Sequence, residues 1–177
     1  MQDPEIVHVA RADSPIGPLR VASTAAGLAY VELPHESGPG LHGRLRRVLP
    51  HAEVVEGFAP NRIAIAQIQE YLEGKRAEFD LPLDLRGTAF QMAVWTALRE
   101  IPYGVTRTYA EIARVVGRPR AVRAVGAANG ANPVALVVPC HRVIATGGKL
   151  GGYAGGLELK ARLLAMEQSR PKQGALL

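Results

Sequence analysis

The sequence predicts a mixed α/β protein of the α+β kind, with strands first and helices after. Short apolar runs separated by turn residues fill the first third of the chain. Amphipathic patterns at spacings of three and four fill the second half, and that order of elements points to a sheet followed by a helical unit. Charge divides the chain at the same place. Residues 1–86 hold nine Lys and Arg against 12 Asp and Glu, a net −3, whereas residues 87–177 hold 12 against four, a net +8. We therefore expect two units, residues 1–85 and 86–177.

A chain of 177 residues allows one domain or two small ones, and 47% hydrophobic residues can build a packed core. No apolar stretch approaches the length of a membrane span, and MQDPEIVHVA lacks the basic region and apolar core of a leader. The reading is a soluble cytoplasmic protein. The single cysteine excludes an internal disulfide and fits a reducing compartment.

The elements follow in order. Ile6–Val9, Leu19–Ala22 and Leu28–Leu33 are short apolar runs parted by Ser14-Pro15-Ile16-Gly17-Pro18 and Ala25-Ala26-Gly27. That pattern is an antiparallel meander. The segment 35–43 is rich in Gly and Pro and reads as a surface loop. Residues 60–72 read as a helix with Ile65, Ile68 and Leu72 on one side. Residues 79–85 alternate but contain Pro82, which leaves an edge strand or a linker. Thr88 caps a helix running to about Ile101, with Phe90, Val94, Ala97 and Leu98 along its apolar stripe.

Thr108-Tyr109-Ala110-Glu111 is a capping box for a further helix, and Gly117 ends it. Pro119 stands where a second helix starts, after a turn of about three residues, which suggests a helix-turn-helix. That second helix, PRAVRAVGAANG, is built almost entirely of small residues. Gly126 costs it about 1 kcal/mol relative to alanine, so the glycine has a purpose. It either packs tightly on a neighbouring helix or forms a slim face for a narrow groove, with Arg123 projecting. Small residues suit the minor groove and sequence-independent binding. The net +8 of this half points to a polyanion, nucleic acid first, although a solvated basic surface explains the charge equally well.

The chemistry centres on ALVVPCHRVIA, residues 135–145. The apolar run 134–138 reads as a buried strand, which Pro139 ends beside Cys140. A lone cysteine is more often a core residue than a nucleophile. Here it adjoins His141 and Arg142, which a closed core is expected to exclude, and which supply a base and a positive charge. The glycine-rich loop 146–156 lacks the order of a phosphate-binding loop. It is either a flexible connection or a place where backbone approaches a flat ligand. On the last helix, about 157–168, Lys160, Leu163, Leu164 and Glu167 share one face. The leucines turn that face inward, so Glu167 needs a partner, either His141 in a Cys–His–Glu set or a surface arginine. Five scattered histidines and one cysteine give no zinc spacing, and no metal is expected.

These residues resemble a known family, the O6-alkylguanine-DNA alkyltransferases, also called methylated-DNA–protein-cysteine methyltransferases. The likeness is close over residues 86–168 and loose before them. It rests on PCHRV (139–143), FQMAVWTALREIPYG, TYAEIA, RAVGAANGANP and GYAGGLELKARLLAMEQ in that family's order. The resemblance implies a ribonuclease-H-like N-terminal domain with an antiparallel sheet and helix. It also implies a mostly helical C-terminal alkyltransferase domain with a winged-helix-like helix-turn-helix.

The implied activity is suicide DNA repair without a cofactor. A monomer, able to act cooperatively on DNA, binds duplex containing O6-alkylguanine through the minor groove and flips the base out. O4-alkylthymine is a second expected substrate. Cys140 would accept the alkyl group, His141 would take its proton through a water, and Glu167 would orient the histidine. Tyr109 would rotate the nucleotide and donate to guanine N3, and Arg123 would fill the vacated stack. Ala121, Ala124 and Gly126 would let the helix reach the groove floor beside the Thr108 cap. Asn132 would tie the helix pair to the active-site segment. The carbonyls of Cys140 and Val143 and the N–H of Ala154 would bind the base, with Tyr153, Gly155 and Ala135 shaping the pocket and Lys160 supporting it. Ala135 departs from members that carry proline there, and the structural-zinc cysteines of some members are missing. Rival readings are a non-catalytic sensor of alkylated DNA and a thiol hydrolase.

Overall fold

The turn signals of the first third do what they indicate. In the computed structural model, which describes residues 3–170, strands β1 (Ile6–Ala12), β2 (Leu19–Thr24) and β3 (Gly27–Glu32) form an antiparallel meander. A fourth strand, β4 (Glu53–Glu56), joins β1 in parallel, giving the order β3-β2-β1-β4 and a mixed sheet. Its sequence, EVVE, has no buried residue and so no alternation to reveal it.

Helix α1 (Gly40–Val48) occupies part of the expected 35–43 loop. Leu41 and Leu45, four residues apart, are its buried face, and with Leu49 they pack on Val7, Val9, Ala22 and Tyr30 of the sheet. The opposite sheet face is covered by α2 (Arg62–Leu72), entered through a 3₁₀ turn at Ala59–Asn61. Ile65, Ile68 and Leu72 are buried there as their spacing requires. Segment 79–85 runs along β3: Leu28 donates to Pro82 O at 2.9 Å, Asp84 donates to Leu28 O at 2.9 Å, and Leu28 and Leu83 form one parallel bridge. It is a linker that pairs at a single point and shields a sheet edge.

The second half is helical. Thr88 caps α3 (Ala89–Arg99) with a full capping box to Gln91. Thr108 does the same for α4 (Tyr109–Val115) with Glu111. Gly117, at φ +71°, ends α4 in a Schellman arrangement: Gly117 N–H donates to Arg114 O at 3.0 Å and Arg118 N–H to Ala113 O at 2.9 Å. Helix α5 (Val122–Gly130) starts three residues later than Pro119. Pro119 instead lies inside a turn closed by Ala121 N–H to Arg118 O at 2.8 Å, a position its fixed φ favours. The Trp95 indole on α3 donates to Ala128 O on α5 at 2.8 Å and locks the two helices together. A short parallel pair, β5 (Arg107–Thr108) with β6 (Val143–Ile144), and helix α6 (Leu157–Ser169) complete the half.

One core runs across both halves, from Val21, Leu28 and Val31 through Ile68 and Tyr71 to Trp95, Leu98, Leu136, Val138 and Leu163. Backbone joins them as well, since Val31 N–H donates to Pro133 O at 2.9 Å. The segment 134–138 is buried as expected but is a turn, with Val138 N–H to Val134 O at 2.9 Å and Leu136 at φ +73°. A short apolar run cannot by itself tell a strand from a buried turn. The left-handed leucine costs about 1–3 kcal/mol, offset here by complete burial of its side chain. Among the described residues, no helix is long and apolar enough to cross a membrane.

Candidate active site

The strained turn delivers Cys140 to its position. Asn132, just past α5, clamps the turn at both ends: its Nδ2 donates to Val138 O at 2.8 Å and its Oδ1 accepts from Val134 N–H at 3.0 Å. Pro139 then leads into a 3₁₀ turn, Cys140–Arg142. Asn129 on α5 adds a long contact, Nδ2 to Cys140 O at 3.4 Å. The thiol is thus fixed to the helix pair by two asparagines, of which the sequence singled out only Asn132.

His141 and Arg142 overturn the expectation that a core excludes them. Both are buried, His141 completely. The core accepts them because Glu167 meets them from α6. His141 Nε2 lies 2.8 Å from Glu167 Oε1. Arg142 donates to Glu167 through Nε, at 2.9 Å to Oε2, and through Nη2, at 2.9 Å to Oε1, and its Nη1 donates to Ile101 O at 2.6 Å. Gly104 N–H reaches Oε2 at 3.1 Å. A fourth partner was not legible in the sequence: the Tyr71 hydroxyl of α2 donates to Glu167 Oε1 at 2.6 Å. Its only sequence signal was a tyrosine on the buried side of α2.

Protonation follows from these contacts. Burial pushes the Glu167 carboxyl up, but hydrogen bonds from His141 and Arg142 and their charges outweigh it and hold the group at about 2. An ionised carboxylate only accepts, so His141 Nε2 carries a proton. Burial lowers the histidine against the pull of Glu167, which leaves it neutral. Its lone pair is therefore on Nδ1, which is buried and has no hydrogen-bond partner among the described residues. Burial raises the Cys140 thiol, opposed by Asn132 and by the Lys160 charge, so it rests protonated. The Arg142 charge is spent on Glu167, not on sulfur. A neutral thiol needs proton removal to become a nucleophile, and the residue that follows it in the chain carries a neutral imidazole with an unpartnered nitrogen.

Cys140 forms part of the floor of a cleft of 540 Å³ lined by Tyr109, Arg123, Gly126, Asn132, Ala135 and Tyr153, among others. Arg123 stands exposed on α5 at its edge. A Cβ on Gly126 would meet no atom within 4 Å, so this glycine does not serve tight helix packing, and the slim-face alternative remains. Ala124 is exposed and Ala121 half-buried on the same helix. Gly151, at φ +71°, has no room for a side chain, since a Cβ would lie 2.8 Å from the Tyr109 hydroxyl. The glycine loop is thus packed against the tyrosine and is no loose connection. Burial, then Cys140, raises Tyr109, which keeps its hydroxyl a donor. Ala154 and Tyr153 line the cleft, and the Tyr153 hydroxyl is buried without a partner among the described residues. Gly155 lies behind them, where a Cβ would press on Leu33 and Leu159 at 2.9 and 2.8 Å. Thr108 stays in its capping role away from the lining.

Lys160 is fully buried and donates to Val143 O at 2.6 Å and Gly152 O at 3.2 Å. Burial lowers it to about 8, with Cys140 pulling the other way. It ties the strand after the thiol to the glycine loop and uses one lone pair of the Val143 carbonyl.

Fold and site together define a class: a mixed α/β protein with one buried thiol, backed by a His–Glu pair, at the floor of a cleft beside an arginine-bearing helix. Comparison with known proteins gives the class a family. Residues 89–169 match the DNA-binding domain, and residues 7–85 the ribonuclease-like domain, of 6-O-methylguanine DNA methyltransferase. The chain is 48% identical over 157 residues to the methylated-DNA–protein-cysteine methyltransferase of Methanosarcina barkeri, covering 89% of this chain and 94% of that protein. It is 46% identical over 168 residues to the one from Mycobacterium tuberculosis, covering 93% and 94%. The crystal structure of Mycobacterium tuberculosis OGT in complex with DNA superposes with a TM-score of 0.79 at 45% identity, covering 92% of this chain and 93% of that one. The chain belongs to the methylated-DNA–protein-cysteine methyltransferase family, and is a DNA-binding methyltransferase of alkyl-damage repair.

Proposed function

We propose that the protein reverses O6-alkylguanine damage, and O4-alkylthymine damage with it, by moving the alkyl group onto Cys140 once per molecule. The observation that carries this reading is the cleft. It joins a lone thiol to an exposed Arg123 on a helix of small residues, and the residue after the thiol, His141, keeps an unpartnered ring nitrogen.

Duplex DNA is held through its phosphates by the basic half, without demand for sequence. The α4–α5 pair acts as the helix-turn-helix, with α5 in the minor groove on Ala121, Ala124 and Gly126, and Thr108 fixing the start of α4. The damaged nucleotide is extruded into the cleft, because the alkyl carbon is out of reach inside the stack. Arg123 takes its place, and Tyr109 guides the base and donates to N3. The carbonyls of Cys140 and Val143 receive the exocyclic amine. Ala154 N–H faces O6, and Tyr153, Gly155 and Ala135 set the width of the pocket.

The Cys140 thiol passes its proton through a water to His141 Nδ1, and Glu167 stabilises the imidazolium that results. Sulfur attacks the alkyl carbon in line, an S–C bond forms, the C–O6 bond breaks and guanine leaves. Asn132 keeps sulfur at the end of its turn, and Lys160 holds the walls of the pocket. A thioether has no leaving path here, so the molecule is spent, and it acts as a monomer that can cluster cooperatively on DNA.

Transfer of labelled methyl from O6-methylguanine duplex tests the reading. Label is expected on protein to one equivalent with wild type and none with Cys140→Ser. Binding without label on wild type would instead make the protein a sensor.

A further inference from the structure

The Cys–His–Glu reading leaves one buried contact unused. Tyr71 is fully buried, comes from α2 in the N-terminal half, and touches both His141 and Glu167. Its hydroxyl is 2.6 Å from Glu167 Oε1 and 3.1 Å from His141 Nε2. The carboxylate accepts only, so the single phenolic proton goes to Glu167. The phenolic lone pair then faces the Nε2–H of His141, which is shared between Glu167 and Tyr71. The three groups close a triangle in which each donor has an acceptor. A flipped imidazole would turn a C–H toward both acceptors and lose both bonds.

We infer that Tyr71 is a positioning residue of the alkyl-transfer site, one that holds the His141 ring with Nε2 protonated and Nδ1 directed to the thiol side. It also draws part of the Glu167 charge away from the ring. The inference rests on the role of Cys140 and His141 proposed above. Phe79 and Tyr103 flank the Tyr71 ring at centroid distances of 5.3 and 6.2 Å and keep it in place. The charged and titratable groups around the triangle are Arg142 from the 3₁₀ turn, Lys160 from α6, Tyr153 from the glycine loop and Tyr103. None of them replaces the phenolic oxygen: Arg142 brings only donors, and Lys160 is engaged by the Val143 and Gly152 carbonyls. Burial, then the Glu167 charge, raises Tyr71 well above its ordinary value, so it is a hydroxyl throughout the working pH range.

Tyr71→Phe in the full chain removes the oxygen and little else. Glu167 loses a donor, which favours the imidazolium, and Nε2–H loses its second acceptor, which disfavours it; the charge-assisted contact to the carboxylate, 2.6 Å against 3.1 Å, is the stronger, so the imidazolium becomes easier to form. His141 then protonates at higher pH and stops accepting the thiol proton there. The rate of Cys140 methylation by O6-methylguanine duplex is measured between about pH 5 and 9. Its acid limb is expected to move up by about half a unit or more, which is about a threefold loss on the limb. An unmoved limb, whether or not the rate is scaled down throughout, overturns the inference, because lost packing alone would give that result. His141→Gln separates the two claims. A limb that survives in His141→Gln refutes His141 as the base. A limb that vanishes there but stays put in Tyr71→Phe refutes Tyr71 alone. Nitrogen-15 spectra of the wild-type histidines cover a variant that does not fold: a neutral His141 ring protonated on Nδ1 overturns the triangle.

Discussion

Glu167→Gln is the perturbation that loads the structure most heavily. The change keeps volume and removes one negative charge. Glu167 accepts from Tyr71, His141, Arg142 and Gly104 N–H, and its side chain is fully buried. In the variant one carboxylate oxygen becomes an amide nitrogen that faces donors, and the guanidinium of Arg142, 8% exposed, loses its counter-charge. Breaking one side of a buried ion pair costs about 3–5 kcal/mol. For a chain of this length each kcal/mol lowers Tm by about 2–4 °C, so a fall of about 6–20 °C follows. Thermal and urea unfolding followed by circular dichroism measure it. Adding Arg142→Met is expected to recover part of the loss, because no unpaired charge then remains. A single variant within about 1 kcal/mol of wild type, in the range of an exposed pair, would refute the buried hub as the link between α6 and the thiol turn.

Two further outcomes follow from the same geometry. Arg123→Ala is expected to slow reaction with duplex DNA on the order of tenfold or more, since base extrusion costs a few kcal/mol, while reaction with free O6-methylguanine base changes little; equal losses on both substrates would remove Arg123 from the extrusion step. Glu167 lies at about 2 in the folded chain against an ordinary 4.5, so its stabilisation is complete above pH 4.5 and is lost as pH falls toward 2. Urea midpoints across that window should fall faster for wild type than for Glu167→Gln, and parallel curves would contradict the ionised hub.

Where the sequence was legible, local chemistry was strong. The cap at Thr88, the capping box at Thr108, Gly117 after α4 and the buried face of α6 all follow from side chains acting within one turn of the backbone. Inward Glu167 was readable from the leucines that share its face. Helix α1 was missed because glycines and prolines flank it and only Leu41 and Leu45 carry its period. The parallel strand β4 has no buried residue, and the 134–138 turn is apolar throughout, so neither carries a period that names it. Tyr71 and Asn129 reach the site across the fold, and no local pattern encodes a contact between residues 71 and 167. His141 and Arg142 looked too polar for a core because their partner stands 25 residues or more away in sequence.

The central claim is that Cys140 keeps the group it receives. The most direct measurement is intact-protein mass, followed over time with O6-methylguanine duplex in excess, and peptide mapping of the product. One added methyl per chain is expected, on the peptide holding Cys140, with consumption of damaged DNA stopping at one equivalent. Repair continuing beyond one equivalent, or a methyl group carried on any other residue, would contradict it.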